Sequence, residues 1–563
     1  MTGVWGWLDR KGSPGDKVRL ARLGTPSFGH ETRHASLGQG AALDTNAPNH
    51  LHTDDGLLVA YAGHPRLRGT EAAGETGPTR MVEAYHRHGR DLPSHLEGPF
   101  ALAILEPARQ RGLLAVDRMG IHDLAYAPTT EGLVFGPRAD HIAADPRCSG
   151  ELDPQALYDY LYFHVIPRPA TAFTGVHRLR PGEALWYAAD RAETYRYWRP
   201  HFEEGEAAPL ATLKARFRSS LHSAVGRAAE GGTVGAFLSG GTDSSTVCGL
   251  LGEVTGTAPR TYAIGFDAPG YDETGFARIA ARHFGTRHRE YFVTPQDVAA
   301  AVPHIAAGYD QPYGNASAVP TFYCAQLARE DGVRHLLGGD GGDELFAGNA
   351  RYAEQWLLSL YEQVPRWLRR GLVEPVAGAF PFGEGIPPVR KARRYIEQAN
   401  ASLPGRLQRY NLVERMGPER IFTDDFRARI DENQPRSLLE TEYRPYRGYA
   451  LVNRLLALDM KFTLADDDLR KVVGAAGLAG VETRFPFLDP EVVAMAATVP
   501  PGLKLKRTRL RHFFKEALRD LLPPEILDKE KHGFGLPFGV WMRENRELHE
   551  LAGDSLSDLR GRD

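Results

Sequence analysis

A segment of small and polar residues at positions 239–245, Ser-Gly-Gly-Thr-Asp-Ser-Ser, has the composition of a phosphate-binding turn. Its glycines permit a sharp turn where larger side chains would collide with a ligand. The mostly apolar residues 234–238 before it predict a buried strand, and Ser244 and Ser245 are expected to cap a helix that continues through residues 246–251. Backbone N–H groups converge where a strand, a glycine turn and a helix start meet, and the helix dipole favours an anion there.

The same turn carries one carboxylate, Asp243, which would repel a bare phosphate. Its expected role is therefore to hold a Mg²⁺ ion that bridges the phosphates of a nucleotide. The spacing differs from the GxxxxGKS/T loop of the common nucleoside triphosphatases, and no lysine follows it. A Ser/Gly turn that simply ends a core strand is the alternative interpretation.

A second glycine-rich segment, residues 338–344, places three acidic residues among four glycines. Acids this close repel one another in a buried site unless a cation lies among them. Mg²⁺ needs only one or two carboxylates when phosphate oxygens and waters complete its shell, so Asp343 and Asp243 are predicted to share it. An acidic surface loop and a calcium loop are the alternatives, and the glycine spacing does not fit the EF-hand.

The elements around these two segments alternate between strands and helices. Apolar runs predict strands at residues 260–266, 289–293 and 335–337, with helices at 276–284 and 323–329. This alternation predicts a parallel sheet with right-handed crossovers. Ligands then bind at the carboxyl ends of the strands, where both glycine-rich segments lie.

The N-terminal part of the chain has a different pattern, with short strands, many turns and few helices. A strand is predicted at residues 57–61, a hairpin at 100–105 and 112–116, and a helix at 81–88. Further on, Asp153 followed by proline predicts a capped helix start.

The two glycine-rich segments resemble those of enzymes that split ATP into AMP and pyrophosphate, and the chain is identified as a member of the asparagine synthetase family. Residues 338–344 resemble that family's Gly-Glu-Gly-Ser-Asp-Glu loop, and residues 464–471, 481–489 and 529–537 resemble three later segments. The resemblance implies ATP and Mg²⁺ as cofactors. It implies ATP contacts from Leu238, Ser239, Gly240, Gly241, Thr242, Asp243, Ser244, Ser245, Ile264, Gly338 and Gly339.

The resemblance also implies three catalytic residues, Asp340, Asp466 and Lys531. Asp340 stands where asparagine synthetases have Glu and β-lactam synthetase has Tyr, close to the reacting amine. Lys531 is expected to reach the α-phosphate and the carbonyl oxygen, where negative charge develops.

Residues 96–101 and 117–121 resemble the N-terminal glutaminase domain of the same family. The nucleophile of that domain is an N-terminal Cys whose own amino group serves as the base. Thr2 stands at this position, and its hydroxyl is a weaker nucleophile than a thiol. Residues 61–63 (Tyr-Ala-Gly) and 77–79 (Gly-Pro-Thr) replace the family's glutamine-binding pieces. We therefore expect a domain that kept its fold and lost glutamine hydrolysis.

At 563 residues the chain is too long for a single core, so two domains are expected. The fold class implied by the resemblance is α+β followed by α/β. Residues 1–205 are assigned to an Ntn-type αββα sandwich. Residues 206–563 are assigned to a parallel-sheet domain of the PP-loop ATPase type, with a helical C-terminal part after about residue 350.

Net charge, cysteine content and hydrophobic runs indicate which partners and which cellular compartment to expect. The net charge of −3 gives no indication of a nucleic-acid-binding surface. The three cysteines are too few and too scattered for a disulfide framework or a metal site, which suits a reducing cytoplasm. No signal peptide and no run of membrane-helix length is visible.

The implied reaction joins a carboxylate to an amine. The substrate carboxylate attacks ATP to give an acyl-adenylate and pyrophosphate, and ammonia or an amine then attacks the activated carbonyl. Expected partners are a small-molecule or peptide carboxylate and ammonia or an amine, and a homodimer stays open. The alternatives are an intramolecular lactam or macrolactam synthetase, as in β-lactam synthetases and lasso-peptide cyclases, and a catalytically silent binding protein.

Overall fold

The computed structural model describes residues 3–10, 17–24, 33–37, 40–46, 50–54, 56–69, 76–268, 270–375, 395–408, 411–529 and 535–560. Two six-stranded antiparallel sheets make up its N-terminal part. In spatial order, the first sheet consists of His177–Arg178, Ala125–Thr129, Gly132–Gly136, Val4–Asp9, Ala41–Thr45 and Arg33–Leu37. The second consists of Arg191–Arg196, Glu183–Ala188, Arg111–Val116, Phe100–Glu106, Leu57–Gly63 and Leu51–Asp54. A two-stranded ladder pairs Arg66–Leu67 with Leu96–Glu97.

The two sheets pack face to face because alternate side chains of their central strands are apolar and buried between them. Trp5 and Trp7 lie on the outer face of the first sheet, where they contact the helices Lys17–Leu23 and Ala139–Ala143. Helix Pro78–His88 covers the outer face of the second sheet. The resulting order of helix, sheet, sheet and helix confirms the Ntn-type αββα sandwich.

Local predictions in this part are also confirmed. The hairpin pairs Phe100–Glu106 with Arg111–Val116. The Asp153 carboxylate accepts a hydrogen bond from the amide of Gln155 at 2.9 Å and starts helix Pro154–Phe163. The predicted boundary near residue 205 falls between strand Arg191–Arg196 and helix Leu210–Ala228, and it stays a prediction.

The second part of the chain is built on a five-stranded parallel sheet. Its order is Arg287–Val293, Arg260–Phe266, Val234–Phe237, His335–Leu337 and Glu482–Arg484. Two buried apolar clusters cover its two faces. One cluster includes residues of helices Leu210–Ala228, Thr242–Thr255, Thr274–Phe284, Pro490–Ala497 and His512–Ala517. The other includes residues of helices Pro295–Gly308, Ala318–Glu330, Leu469–Leu478, Phe538–Glu544 and Arg546–Arg560.

The helical C-terminal part that the sequence predicted is present. It includes helices Ala350–Glu362, Arg366–Leu368, Leu412–Met416, Pro418–Ile421, Asp424–Ala428, Gln434–Tyr443, Leu451–Asp459, Pro501–Lys504 and Pro524–Asp528. A short helix, Gly342–Phe346, precedes this part. A π-helical segment, Met460–Asp468, joins Leu451–Asp459 to Leu469–Leu478. Wide π turns are rare and often mark functional sites.

Two details differ from the sequence-based expectation. The predicted cap at Ser244 and Ser245 is wrong, because the helix begins at Thr242 with Gly241 as its N-cap. The fifth strand, Glu482–Arg484, was predicted only as part of a family segment. With three residues, and only Thr483 of them buried, it has too little apolar patterning to be recognised as a strand.

Candidate active site

A cavity of about 940 Å³ opens at the carboxyl ends of the parallel strands. One wall comes from the glycine turn after Val234–Phe237 and includes Ser239, Thr242 and Asp243. A second wall comes from Gly339 to Glu344, after His335–Leu337. The two segments selected from the sequence therefore face the same space, as the rule for parallel sheets predicts.

The glycine turn is shaped by backbone demands that only glycine meets. Gly240 has a φ of 69°, and a Cβ atom there would lie 2.5 Å from the side chain of Phe276. Beyond the turn, the Ser244 hydroxyl accepts a hydrogen bond from the Ser239 amide at 3.2 Å and lies 3.0 Å from the Ser239 hydroxyl. Ser244 therefore ties the turn to the helix from inside the first helical turn.

The second glycine segment lies directly against the first. A Cβ atom on Gly339 would lie 2.8 Å from the backbone nitrogen of Ser244 and 2.9 Å from the Cβ of Asp243. Gly342 also faces the Asp243 carboxylate, with no room for a side chain. This close approach brings Asp343 to the same point as Asp243.

A cation from a distant part of the chain occupies that point. The guanidinium of Arg511 donates from Nη1 to Oδ1 of Asp243 and from Nη2 to Oδ2, both at 2.5 Å. It also contacts Asp343 through Nη2 and the hydroxyl of Thr242 through Nη1. Only 8% of the Arg511 side chain is exposed. Burial alone would lower the pKa of Arg511, but the two carboxylates outweigh it and raise that pKa above its ordinary value.

Sequence reasoning missed Arg511 because it stands in a basic run that resembles an ordinary solvated surface. Lys506, Arg507 and Arg509, its basic neighbours in that run, are exposed. Arg511 differs from them in being buried against Asp243, 268 residues away in the chain, and against Asp343.

The donor set is suited to a divalent cation bound together with phosphate. Asp243 and Asp343 converge on one cationic group, and Mg²⁺ is held by one or two carboxylates when phosphate oxygens and waters supply the rest. Within the described ranges, no cluster of three or more Asp, Glu, His or Cys side chains forms a complete protein cage. The residues therefore fit a metal that arrives with a nucleotide.

A further side of the cavity carries more carboxyl groups than cations. Asp340, Glu344 and Asp468 line it with Lys471, whose ammonium lies 2.5 Å from Asp468. Burial raises the pKa of Asp340 to about 6, although Lys471 lowers it. Burial and the charges of Asp343 and Asp468 also raise the pKa of Glu344 well above its ordinary value.

The structure does not bring Asp466 to this cavity. Its side chain is 1% exposed and forms an ion pair with Lys461, while Arg168 of the sandwich lies 3.9 Å away. In the same segment, Leu464, Asp468 and Lys471 line the cavity instead. Asp466 therefore lies off the helix face that lines the cavity, which corrects the expectation that it is a catalytic residue.

The remaining predicted contacts fall into three groups. Ile264 lines the cavity beside Pro320, Thr321 and Cys324, on a mostly apolar wall. Ser245 is fully buried, and Gly338, the first residue of the second segment, is also buried. Thr2 and Lys531 lie outside the described residues. Lys529 lines the cavity, and its ammonium lies 3.0 Å from the Glu273 carboxylate.

The replaced glutamine-binding pieces serve structural roles in the sandwich. The Tyr61 hydroxyl donates to the carbonyl oxygen of Thr76 at 2.8 Å. Gly77 is the N-cap of helix Pro78–His88. Neither segment directs a carboxylate or an amide side chain into the space between the sheets.

Comparison with known proteins follows the same division of the chain. A family model described as Asparagine synthase matches residues 216–563, and one described as Glutamine amidotransferase domain matches residues 68–198. Over the described ranges, no helix has the length and apolar character needed to cross a bilayer.

Similar proteins match along most of the chain. A provisionally named glutamine-hydrolysing asparagine synthetase of Mycobacterium tuberculosis is 29% identical over 528 residues, which cover 90% of this chain and 76% of that protein. The glutamine-hydrolysing asparagine synthetase 1 of Bacillus subtilis is 25% identical, covering 85% and 74%. An amidase named chry2 from Gibberella zeae is 24% identical, covering 82% and 73%. The chain belongs to the asparagine synthase family, whose members are ATP-dependent amide-forming ligases.

Proposed function

We propose that the protein activates a carboxylate as an acyl-adenylate, releases pyrophosphate, and joins the acyl group to ammonia or an amine with release of AMP. The convergence of Asp243 and Asp343 over the glycine turn is the observation that carries this proposal. It supplies a divalent-cation position beside a backbone suited to phosphates. The fold of the parallel-sheet part and its family are consistent with that chemistry.

The two steps place different demands on the residues of the cavity. In the first step, a bound Mg²⁺ held by Asp243 and Asp343 would neutralise charge on the departing pyrophosphate. In the second step, the amine must lose a proton as it attacks the carbonyl carbon. We assign Asp340 as the acceptor of that proton, because its carboxyl lies in the cavity with a pKa of about 6. We assign Asp466 a structural role: its buried ion pair with Lys461 stabilises the π-helical segment Met460–Asp468.

The reaction is tested by exchange of labelled pyrophosphate into ATP in the presence of candidate carboxylates. Asp243→Asn should abolish exchange, because one of the two metal carboxylates is lost. Asp520→Asn, at an exposed ion pair with Arg218, is the matched control and should exchange like the unmodified protein. Normal exchange in Asp243→Asn would contradict the assignment of the metal position.

Two acceptors remain as alternatives within this chemistry. Addition of ammonia to a free carboxylate adds nitrogen to the product, whereas intramolecular closure only removes the elements of water. Mass spectrometry of products from a substrate panel with and without ammonia separates these outcomes. Absence of pyrophosphate release with every candidate would favour a catalytically silent binding protein.

We also propose that the sandwich does not hydrolyse glutamine. Thr2 stands in the nucleophile position. In the two replaced segments, the Tyr61 hydroxyl bonds to the Thr76 carbonyl oxygen and Gly77 is the N-cap of a helix. The full-length protein incubated with glutamine should release no glutamate above the background of a Thr2→Ala variant. Glutamate release that depends on Thr2 would identify a variant nucleophile instead.

A further inference from the structure

Arg511 occupies the place between Asp243 and Asp343 where a divalent cation would bind. Its two terminal nitrogens contact both carboxylates and the Thr242 hydroxyl. We propose that Arg511 is an exchangeable counter-ion of the nucleotide site. It holds the two carboxylates when no nucleotide is bound, and it binds phosphate oxygens of the nucleotide when a divalent cation takes its place. This inference rests on the proposed function, because it assumes that ATP enters with a divalent cation.

The charges of Asp243 and Asp343 require a cation between them. Two carboxylates that face one point repel each other, and an arginine remains charged at any pH at which the protein is folded. Arg511 therefore stabilises the approach of the two glycine-rich segments before any ligand arrives. A divalent cation that binds first must compete with this guanidinium for the same oxygens.

Arg511 cannot simply move into solvent when it is displaced. With 8% of its side chain exposed, it must keep an anionic partner in the cavity. The phosphates of the nucleotide are the anions that binding brings to this wall. A guanidinium presents a planar fork of donors that matches two phosphate oxygens, as it matches the two oxygens of Asp243 here.

The surroundings of Arg511 permit such a shift without loss of its anchor. Its backbone has a φ of 53°, and its amide donates to the carbonyl oxygen of Ala347 at 3.3 Å. A left-handed conformation is uncommon for a residue other than glycine, and such residues cluster at functional sites. The guanidinium also lies over the ring of Phe514, 5.3 Å from its centroid, so it can slide across an aromatic face.

This exchange predicts an effect that loss of a simple structural arginine would not produce. We would titrate the nucleotide-free protein with Mn²⁺ and detect bound Mn²⁺ by electron paramagnetic resonance. The unmodified protein should bind Mn²⁺ weakly. Arg511→Gln should bind Mn²⁺ at least about tenfold more tightly, because the guanidinium that competes for the two carboxylates is gone. Adding Asp243→Asn to Arg511→Gln should remove this gain.

The same variant should lose affinity for the nucleotide. In saturating Mg²⁺, Arg511→Gln should bind ATP at least about tenfold more weakly, because a charge-assisted contact to phosphate is missing.

Arg509→Gln is the matched control for the Mn²⁺ titration. It removes a positive charge from the wall of the same cavity, but Arg509 has no carboxylate contact in the described structure. It should leave Mn²⁺ affinity close to that of the unmodified protein.

Either of two results would overturn the proposal. The first is equal Mn²⁺ affinity in Arg511→Gln and the unmodified protein, and the second is unchanged ATP affinity in Arg511→Gln. If thermal melting shows that Arg511→Gln does not fold, Arg511→Lys serves instead, because a single ammonium cannot form the planar fork. Unmodified behaviour of Arg511→Lys in both titrations would then contradict the proposal. If ATP binds to no variant while the Mn²⁺ gain is present, the proposed function fails and the counter-ion role of Arg511 stands without its phosphate partner.

Discussion

Asp310 of the parallel-sheet part and Arg178 of the sandwich form a buried ion pair, with Oδ2 of the carboxylate 2.5 Å from Nη2 of the guanidinium. The other oxygen of Asp310 is 2.5 Å from Arg470, in the helix that also carries Lys471 of the cavity. Burial alone would raise the pKa of Asp310, but Arg178 and Arg470 outweigh it and hold that pKa well below its usual range. One carboxylate therefore joins the sandwich to a helix of the candidate active site.

Replacement of Asp310 by asparagine should destabilise the protein strongly. Arg178 is almost completely buried and also pairs with Asp123, so loss of Asp310 leaves the charges of Arg178 and Arg470 only partly compensated. The expected loss in the free energy of unfolding is about 3–5 kcal/mol, measured by urea denaturation at neutral pH. Asp424→Asn removes a fully exposed carboxylate that pairs with the partly buried Arg427, so it is the control and should change stability little. A similar small effect for both variants would show that the buried pair is dispensable.

The elements that position the site were largely predictable because their signals are local. Strand Arg260–Phe266 is an apolar run with the bounds that the sequence predicted, and the glycine turn lies directly after Val234–Phe237. Gly240 and Gly339 are required where the backbone approaches other atoms closely, so their positions carried information about the site. Patterns of this kind extend over a few residues and can be recognised without knowledge of the fold.

The parts that escaped prediction have different physical causes. Arg511 differs from its basic neighbours in being buried against Asp243 and Asp343, which are far away in the chain. The assignment of Asp466 had a different origin: the resemblance implied it, whereas Leu464, Asp468 and Lys471 stand at i, i+4 and i+7 and share the face that lines the cavity. The helix start was mispredicted although the contact is local, because Ser244 bonds back to Ser239 rather than capping.

The proton acceptor role of Asp340 predicts a specific pH dependence. A carboxyl with a pKa of about 6 must be ionised to accept a proton, so amide formation should decline as the pH falls through about 6. The preceding adenylation step should not show this decline. Quenched-flow measurement of amide formation, with pyrophosphate exchange measured in parallel, separates the two steps.

Asp340→Asn should slow amide formation by about 10²–10⁴-fold and leave pyrophosphate exchange nearly intact. Asp340→Glu is the conservative comparison, because it keeps a carboxyl group at a similar position and should retain part of the activity. Loss of exchange in Asp340→Asn would mean that this residue acts before the amine attacks.

Lys504 provides a test of stability that is independent of catalysis. Its ammonium is buried, donates to the Asn453 side-chain oxygen at 3.2 Å, and lies 4.9 Å from the ring centroid of Phe202. Burial lowers the pKa of Lys504 to about 7, although Glu204 opposes this shift. Between about pH 7 and the ordinary lysine pKa of about 10.4, the unfolded chain therefore binds one more proton here than the folded chain.

The sign of the resulting effect is fixed by this difference. The Lys504 contribution to the free energy of unfolding should rise with pH above about 7, by at most about 1.4 kcal/mol per pH unit. Lys504→Met should remove this slope, which is obtained as the difference between urea denaturation curves of the two proteins at several pH values. Lys506→Met, at an exposed lysine, should keep it. Parallel curves for Lys504→Met and the unmodified protein would contradict the shifted pKa.

The remaining prediction concerns Lys531, which lies outside the described residues and follows Lys529 by two positions in the sequence. Lys529 lines the cavity. Family resemblance assigns it to the α-phosphate and to the carbonyl oxygen on which charge develops. A preorganised donor at such a place is worth roughly 3–4 kcal/mol of barrier. Lys531→Ala should therefore bind ATP nearly normally and turn over at least about a hundredfold more slowly.

Two further variants separate this role from a general effect of charge. Lys531→Arg should restore little activity, because a planar guanidinium does not replace a compact ammonium that contacts a small charged centre. Lys529→Ala removes an ammonium that is already paired with Glu273, so its turnover should change less than that of Lys531→Ala. Single-turnover kinetics with ATP in excess compare the three proteins. If Lys531→Ala turns over normally and Lys529→Ala does not, the ammonium that meets the developing charge is Lys529, and its pair with Glu273 must open when ATP binds.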